Sequence, residues 1–150
     1  LAISSIRDVS LTTDVIVGFP GETEEDFEET LSVLRYSKFD AVYMFQFSPR
    51  PGTKANEYKD EFIKKDVISE RFMRLKEIQT QISHDRYKRF IGTKQTLLVE
   101  NYSKKTNEFM SGKIDGGQTT HIPSKDIKIG DYVNVLITEA SPFALKSELI

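Results

Sequence analysis

Thr13-Asp14-Val15-Ile16-Val17-Gly18-Phe19-Pro20-Gly21-Glu22 is the stretch that decides the fold of the first half of this 150-residue chain. Its opening residues are β-branched and mostly apolar, which predicts a strand, residues 12–17, that is buried on both faces. Two glycines then permit a tight turn. The junction matters for function because α/β proteins bind ligands at the carboxyl ends of their parallel strands.

The acidic run TEEDFEETL, which follows this turn, predicts a helix. Thr23 is a good N-cap, and Asp26 stands three residues later, as in a capping box. Acidic side chains in the first turn also interact favourably with the positive end of the helix dipole. We expect the helix to end near Ser37 and a second strand to span Ala41–Phe47. This order predicts a βαβ unit with parallel strands and a right-handed crossover.

A second unusual loop, FSPRPGT at residues 47–53, follows the second strand. Two prolines and Gly52 stop the strand, and Arg50 lies between the prolines. Two interpretations stay open. Arg50 is either a surface residue on a rigid turn or a guanidinium that stiff backbone aims at a carboxylate or a phosphate.

The second half of the chain predicts a long helix followed by a small β-barrel. An apolar stripe at helical spacing predicts a helix from about Asp66 to Ile91, and Gly92 is placed to end it. Turn signals then separate five short strands, which fit an OB-like barrel. These strands are residues 96–102, 109–115, 118–122, 132–140 and 143–150.

Composition limits the classes of function. The chain has no cysteine, which excludes disulfides and a cysteine-ligated iron–sulfur cluster within it. Its net charge is −2, and only the segment 64–94 is clearly basic, with nine basic and four acidic residues. No apolar run approaches the roughly 20 residues that span a bilayer. We therefore expect no membrane partner and a cytoplasmic location.

The strings TDVIVGFPGETEEDFEETL and FSPRPGT, in that order, resemble the C-terminal part of radical-SAM methylthiotransferases. The tail from about Gly92 resembles the RNA-binding TRAM domain of these enzymes. The resemblance implies an α/β plus all-β fold. A βαβ portion of a partial (β/α) radical-SAM barrel and a connecting helix would occupy residues 1–91. A five-stranded OB-like TRAM barrel would occupy residues 92–150.

The resemblance also implies cofactors. The family uses S-adenosylmethionine and two 4Fe-4S clusters, whose ligands would lie outside this cysteine-free chain, together with an electron donor for cluster reduction. The chain then looks like a fragment that is inactive alone. Glycines let backbone approach an adenine closely, and exposed amides of the turn can bond to its edge. The implied cofactor-binding residues are Ile16, Gly18, Phe19, Pro20, Gly21, Phe47 and Arg50.

The implied macromolecular partner is the anticodon stem-loop of a tRNA, on which the family modifies an N6-substituted adenosine. The implied RNA-binding residues are Lys94, Lys104, Lys105 and Lys113 for phosphates, and Tyr102 and Phe109 for base stacking. The two aromatic residues could equally belong to the barrel core. Two alternative functions are a methylthiotransferase of the same family that modifies a ribosomal protein, and a stand-alone RNA-binding module without catalysis.

Overall fold

The structure is a computed structural model that describes residues 9–102, 108–123 and 126–150. Within these residues the predicted order of elements is confirmed. The strands and helices are β1 (Thr12–Val17), α1 (Glu24–Ser37), β2 (Ala41–Gln46), α2 (Lys65–Tyr87), β3 (Lys94–Tyr102), β4 (Phe109–Ile114), β5 (Thr119–Pro123), β6 (Tyr132–Ala140) and β7 (Leu145–Leu149). Single 3₁₀ turns occupy Lys54–Glu57, Lys59–Glu61 and Lys88–Phe90.

The chain divides into two compact units. One is Leu11–Ile82, and the other comprises Ser83–Ile150 together with residues 9–10. The division falls within α2. The boundary at Gly92 that the sequence suggests for the two domains stays a prediction.

The first unit is the expected βαβ arrangement. Strands β1 and β2 are parallel and in register from the pair Thr12–Ala41 to the pair Val17–Gln46, with α1 as the crossover. One apolar cluster joins β1, α1 and α2. Its buried members are Val17, Phe27, Leu31, Leu34 and Leu75.

Burial of β1 on both faces, as the sequence suggested, is wrong. Val17 is fully buried, whereas Ile16 is 52% exposed, so exposure alternates along the strand. Alternate side chains of a strand point to opposite faces. Both helices pack on the face that carries Val15 and Val17. The opposite face carries Ile16, Tyr43 and Phe45, which are all more than half exposed.

The local signals at the ends of α1 are confirmed. The Thr23 hydroxyl accepts a hydrogen bond from the Asp26 amide at 3.1 Å, and the Asp26 carboxylate accepts one from the Thr23 amide at 2.8 Å, which completes the capping box. At the other end, Lys38 adopts a left-handed conformation (φ 49°) and donates its amide to the carbonyl of Leu34. The helix therefore ends at Ser37, as expected.

The long helix ends earlier than the sequence suggested. α2 stops at Tyr87, and a 3₁₀ turn at Lys88–Phe90 replaces the last predicted turn up to Ile91. Phe90 is buried in the core of the barrel, and this burial favours the tighter turn. Gly92 has φ 80°, and its amide donates to the carbonyl of Ile137, so it starts the barrel rather than capping α2.

The second unit is a closed five-stranded barrel with the order β3-β4-β5-β7-β6. All pairs are antiparallel except β5 and β7, which are parallel. The strands bury Leu97, Val99, Met110, Ile122 and Leu145 with other apolar residues. Strand β3 has a bulge between Val99 and Asn101.

Candidate functional site

The two strand-end loops meet, as the sequence suggested. The rings of Phe19 and Phe47 contact each other edge to face, with centroids 5.5 Å apart. The amide of Phe47 donates to the carbonyl of Val17 at 2.8 Å, which extends the parallel pairing by one residue. Phe62, which the sequence analysis did not name, packs on Phe47 at 5.9 Å. The ends of β1 and β2 therefore form one surface.

The glycine turn after β1 is fixed by internal hydrogen bonds. Gly18 and Gly21 have φ of 79° and 82°, which favours glycine at both positions. The Gly18 amide donates to Oε2 of Glu22 at 2.9 Å, and the Gly21 amide donates to the carbonyl of Glu61 at 3.0 Å. These two amides are occupied within the protein, so the expectation that they are exposed and can bond to the edge of an adenine is wrong.

A buried arginine from α2 holds this turn, and no local sequence pattern indicates its role. Arg71 donates to Oε2 of Glu22 at 2.8 Å and to the backbone carbonyl of Glu22 at 3.0 Å. Only 6% of the Arg71 side chain and 12% of the Glu22 side chain are exposed. The same Glu22 oxygen accepts the Gly18 amide. Arg71 therefore orients the carboxylate that fixes the turn.

A second arginine, Arg74, extends the ion pairs toward solvent. Arg74 pairs with Glu24 at 2.6 Å and with Glu28, while Arg71 reaches Glu24 at 3.0 Å. The hydrogen bond from Arg74 is the main cause that lowers the pKa of Glu24 from its usual 4.5. Both guanidinium groups also lie over the ring of Phe27. The acidic start of α1 is thus paired with α2.

The exposed face of the two-stranded sheet is apolar and lies beside this turn. Ile16 and Phe45 are partners in the register, and both are more than half exposed. Phe19 is 44% exposed at the end of the same strand, whereas Gly18 and Pro20 are buried. Of the implied cofactor-binding residues, Ile16, Phe19 and Phe47 thus line accessible surface. Gly18 and Pro20 support it from beneath.

Arg50 lies on a tight, exposed turn. The amide and the hydroxyl of Thr53 both donate to the Arg50 carbonyl, at 3.2 and 2.8 Å. Among the residues that the structure describes, none forms an ion pair with the Arg50 guanidinium. The backbone is fixed while the guanidinium stays accessible, which agrees with both interpretations of this residue.

The implied RNA-binding residues occupy separate parts of the barrel. Tyr102 ends β3 and Phe109 begins β4, whereas Lys94 is at the opposite end of β3 and Lys113 lies within β4. All four are exposed, so the assignment of the two aromatic residues to the barrel core is wrong. Lys104 and Lys105 lie outside the described residues. The four described residues therefore do not define one continuous surface.

One exposed aromatic residue of the barrel was missed in the sequence analysis. Tyr132, the first residue of β6, is 73% exposed. The alternation of Val133, Val135 and Ile137 with Asn134, Leu136 and Thr138 already places Tyr132 on the outer face. That signal distinguishes outer from inner residues without indicating which outer residues bind.

The described residues hold no cluster of side chains suited to a metal ion. The chain has no cysteine, and within the described ranges no three His, Cys, Asp or Glu residues cluster to hold a metal ion. The strand-end surface presents apolar side chains and the guanidinium of Arg50. These groups fit an organic ligand with an acidic group rather than a metal cluster. No helix in the described part of the chain is long and apolar enough to cross a membrane.

Comparisons with known proteins identify the relatives. The TRAM domain family matches residues 88–150. The tRNA-2-methylthio-N(6)-dimethylallyladenosine synthase of Corynebacterium glutamicum (strain ATCC 13032) is 43% identical over 150 residues, covering 95% of this chain and 28% of the relative. The protein of the same name from Nocardia farcinica is 46% identical over 149 residues, covering 95% and 29%.

The chain spans less than a third of the length of these curated relatives. The similarity still extends over both units, because only 5% of the chain is left outside it. The resemblance inferred from the GFPGE and FSPRPGT strings is thereby confirmed. Along nearly its whole length the chain is similar to enzymes named tRNA-2-methylthio-N(6)-dimethylallyladenosine synthase, and residues 88–150 match the TRAM domain family.

Proposed function

We propose that this chain is part of a tRNA methylthiotransferase that adds a methylthio group to an N6-modified adenosine next to the anticodon. The observation that supports this most is the 42–46% identity, over 95% of the chain, to enzymes named for that modification. A tRNA substrate would place the protein in the cytoplasm. The activity would belong to a longer protein, since the relatives are more than three times as long.

In this proposal the first unit contributes one wall of the S-adenosylmethionine site. When bound, S-adenosylmethionine supplies the radical chemistry of the family. The residues of this chain would bind and orient it. The apolar surface of Ile16, Phe19 and Phe47 would pack against the adenine, the exposed Gly21 would allow backbone to approach it, and the buried Gly18 would support this surface from beneath. Arg50 would bind the cofactor carboxylate or an RNA phosphate.

The two 4Fe-4S clusters would be held outside this chain, because it has no cysteine to ligate them. The electron donor would reduce those clusters. The chain by itself would therefore bind ligands without turning them over. The TRAM barrel would hold the anticodon stem-loop of the tRNA.

The two alternative functions would use different parts of the chain. A ribosomal-protein methylthiotransferase would share the first unit, but the relatives named above are tRNA-modifying enzymes, which favours tRNA. A stand-alone RNA-binding module would need only the barrel. It would leave the exposed apolar face of Ile16, Tyr43 and Phe45 without a role.

The proposal is tested by replacing the matching segment of the Corynebacterium glutamicum enzyme with this chain, in cells that lack their own copy. We expect methylthiolated adenosine to return in tRNA digests analysed by mass spectrometry, with no mass change in ribosomal proteins. A chimera that carries Arg50→Ala reports on the loop. A functional Arg50 predicts at least about a tenfold loss of modified tRNA, which corresponds to one charge-assisted contact.

The outcomes separate the alternatives. A chimera that accumulates to the normal level without restoring tRNA modification would contradict the proposed activity. Modified ribosomal protein in place of modified tRNA would support the first alternative. Normal modification by the Arg50→Ala chimera would leave Arg50 as a surface residue of a rigid turn.

A further inference from the structure

The outer face of strands β6, β3 and β4 carries residues in aligned rows across the sheet. The register pairs Leu98 with Tyr132 on one side and with Lys113 on the other, so an aromatic ring, an aliphatic side chain and a lysine lie in one row. Thr96 pairs with Asn134 in the adjacent row. We call this surface, formed by Lys94, Thr96, Leu98, Lys113, Tyr132 and Asn134, the β6-β3-β4 face.

Tyr132 is the most exposed aromatic residue of this face. It is 73% exposed although it lies in a strand of the closed barrel. Among the residues described, none makes a ring contact with it, and no hydrogen bond to its hydroxyl is found there. Its neighbour in the row, Leu98, is half-buried. A flat apolar ring is thus presented to solvent on a rigid sheet, which is the geometry of a base-stacking platform.

A groove lies next to this ring. Its volume is about 550 Å³, and Asn134, one pleat away from Tyr132, lines it. The lining combines an amide, a hydroxyl and a carboxylate, which together can donate to and accept from the edge of a base. The lining residues are Lys94, Gln95, Thr96, Asp115, Asn134 and Ile150. A volume of this size accommodates a nucleoside.

Two lysines flank the ring and the groove. Lys113 lies across Leu98 from Tyr132, and Lys94 lines the groove itself. Both are exposed, and neither forms an ion pair within the described part of the chain. Asp115 in the groove lining and the exposed Glu148, which pairs with Leu136 beside Lys94, offset their charge, so the face is close to neutral. Such a surface suits a few phosphates of a single strand whose bases stack, rather than a duplex backbone held by charge.

We propose that the β6-β3-β4 face binds unpaired nucleotides of RNA, with one base stacked on Tyr132 and its neighbour in the groove beside Asn134. Lys94 and Lys113 contact the phosphates. This inference rests on the proposed RNA-binding function of the barrel. It assigns the contact to this face and not to the β3-β4 hairpin end, where Tyr102 and Phe109 lie.

The test is a binding titration of the whole chain with a fluorescently labelled tRNA anticodon stem-loop. Tyr132→Leu removes the ring and keeps an apolar residue, while Tyr132→Phe keeps the ring. Tyr102→Leu is the matched control, because Tyr102 is also an exposed tyrosine at a strand end. We expect Tyr132→Leu to weaken binding by about fivefold or more, and the other two variants to bind within about twofold of wild type.

Salt dependence gives a second readout that a misfolded variant would not mimic. Replacing Lys94 or Lys113 by Ala should reduce the slope of log affinity against log salt by about 0.7 each, as expected for single strands. A duplex made of the stem sequence alone should compete poorly with the stem-loop.

Three outcomes would count against the proposal. Equal affinities of Tyr132→Leu and wild type, with Tyr102→Leu weakened, would overturn the choice of face and leave RNA binding by the barrel intact. Equal competition by the duplex would overturn the requirement for unpaired bases. No binding by wild type at low salt would contradict the proposed RNA-binding function itself.

Discussion

At the scale of single residues, Gly18 is a position in the first unit that tolerates a side chain poorly. Its φ is 79°, and a Cβ atom built there would lie 2.5 Å from Cγ1 of Ile68. A left-handed backbone costs an L residue about 1–2 kcal/mol, and overpacking adds about 1–3 kcal/mol. We predict that Gly18→Ala lowers the free energy of unfolding of the first unit by about 3 kcal/mol, measured by urea denaturation.

Gly52 provides the matched control for this prediction. Its φ of 81° is nearly the same, but nothing lies within 4 Å of the position of its Cβ. Gly52→Ala should therefore cost only the backbone term, about 1 kcal/mol. If the two variants lost the same stability, the contact with Ile68 would carry none of the effect.

Arg71 is predicted to matter more than its neighbour Arg74. Arg71→Met would leave the Glu22 carboxylate buried without its charged partner, and removal of one partner of a buried pair costs about 3 kcal/mol or more. Arg74→Met removes ion pairs with Glu24, Glu28 and Glu70, whose side chains are about half exposed, and should cost much less. Both guanidinium groups lie over the ring of Phe27, so each variant loses one contact of a guanidinium with this ring.

The measurement for this pair is urea denaturation combined with amide hydrogen exchange. The Gly18 amide, which donates to Glu22, should exchange faster in Arg71→Met and not in Arg74→Met. Unchanged exchange of this amide in Arg71→Met would show that Glu22 holds the turn without the arginine.

Contacts between side chains that lie far apart in the sequence were the hardest feature to predict. Glu22 and Arg71 are 49 positions apart, and nothing local marks either as the partner of the other. Phe62 was likewise missed, because it follows two 3₁₀ turns that no periodic pattern announces. The glycine turn and the loop between Phe47 and Thr53 were predicted from the sequence. Positive φ favours glycine and proline restricts the backbone, and both signals depend on neighbouring residues only.

At the scale of secondary-structure elements, the start of α1 gives a prediction about pH. Hydrogen bonds from the backbone amide of Thr23 and, second in size, from its side chain lower the pKa of Asp26 from its usual 3.8. The hydrogen bond from Arg74 is the largest cause that lowers the pKa of Glu24 from its usual 4.5. An acid whose pKa is lowered on folding stabilises the fold above its usual pKa and loses that contribution as pH falls through the lowered value. The first unit should therefore lose stability below about pH 4.5.

Thermal unfolding between about pH 5 and pH 3 checks this expectation. Asp26→Asn removes one titrating group and should flatten the dependence of the unfolding temperature on pH. Thr23→Ala removes the hydrogen bond of the Thr23 hydroxyl and should flatten this dependence in part. A curve for Asp26→Asn that overlays the wild-type curve would mean that the capping box does not contribute to acid sensitivity.

The elements themselves show where sequence patterns suffice. The capping box and the end of α1 were predicted because each depends on residues within one helical turn. The end of α2 was not, since it depends on Phe90 entering the barrel core. Burial of β1 on both faces was predicted from apolar composition alone. The structure covers one face with helices and leaves Ile16 exposed.

At the scale of the whole molecule, the sequence predicted a βαβ unit, a long helix and five barrel strands. It did not predict the strand order, because β5 and β7 pair in parallel with β6 between them in the chain. The spacing of turns gives the number of strands, whereas pairing depends on contacts between distant segments. For the same reason the β6-β3-β4 face, built from three strands, was not recognised beforehand.

The position of β7 between β5 and β6 has a consequence for synthesis on the ribosome. The barrel remains open until Leu145–Leu149 has emerged, which leaves two strand edges free to pair wrongly in the nascent protein. Strands β3, β4 and β6 already pair with one another without β7. The β6-β3-β4 face would thus assemble during translation before the barrel closes, and the groove beside it would gain Ile150 only together with β7.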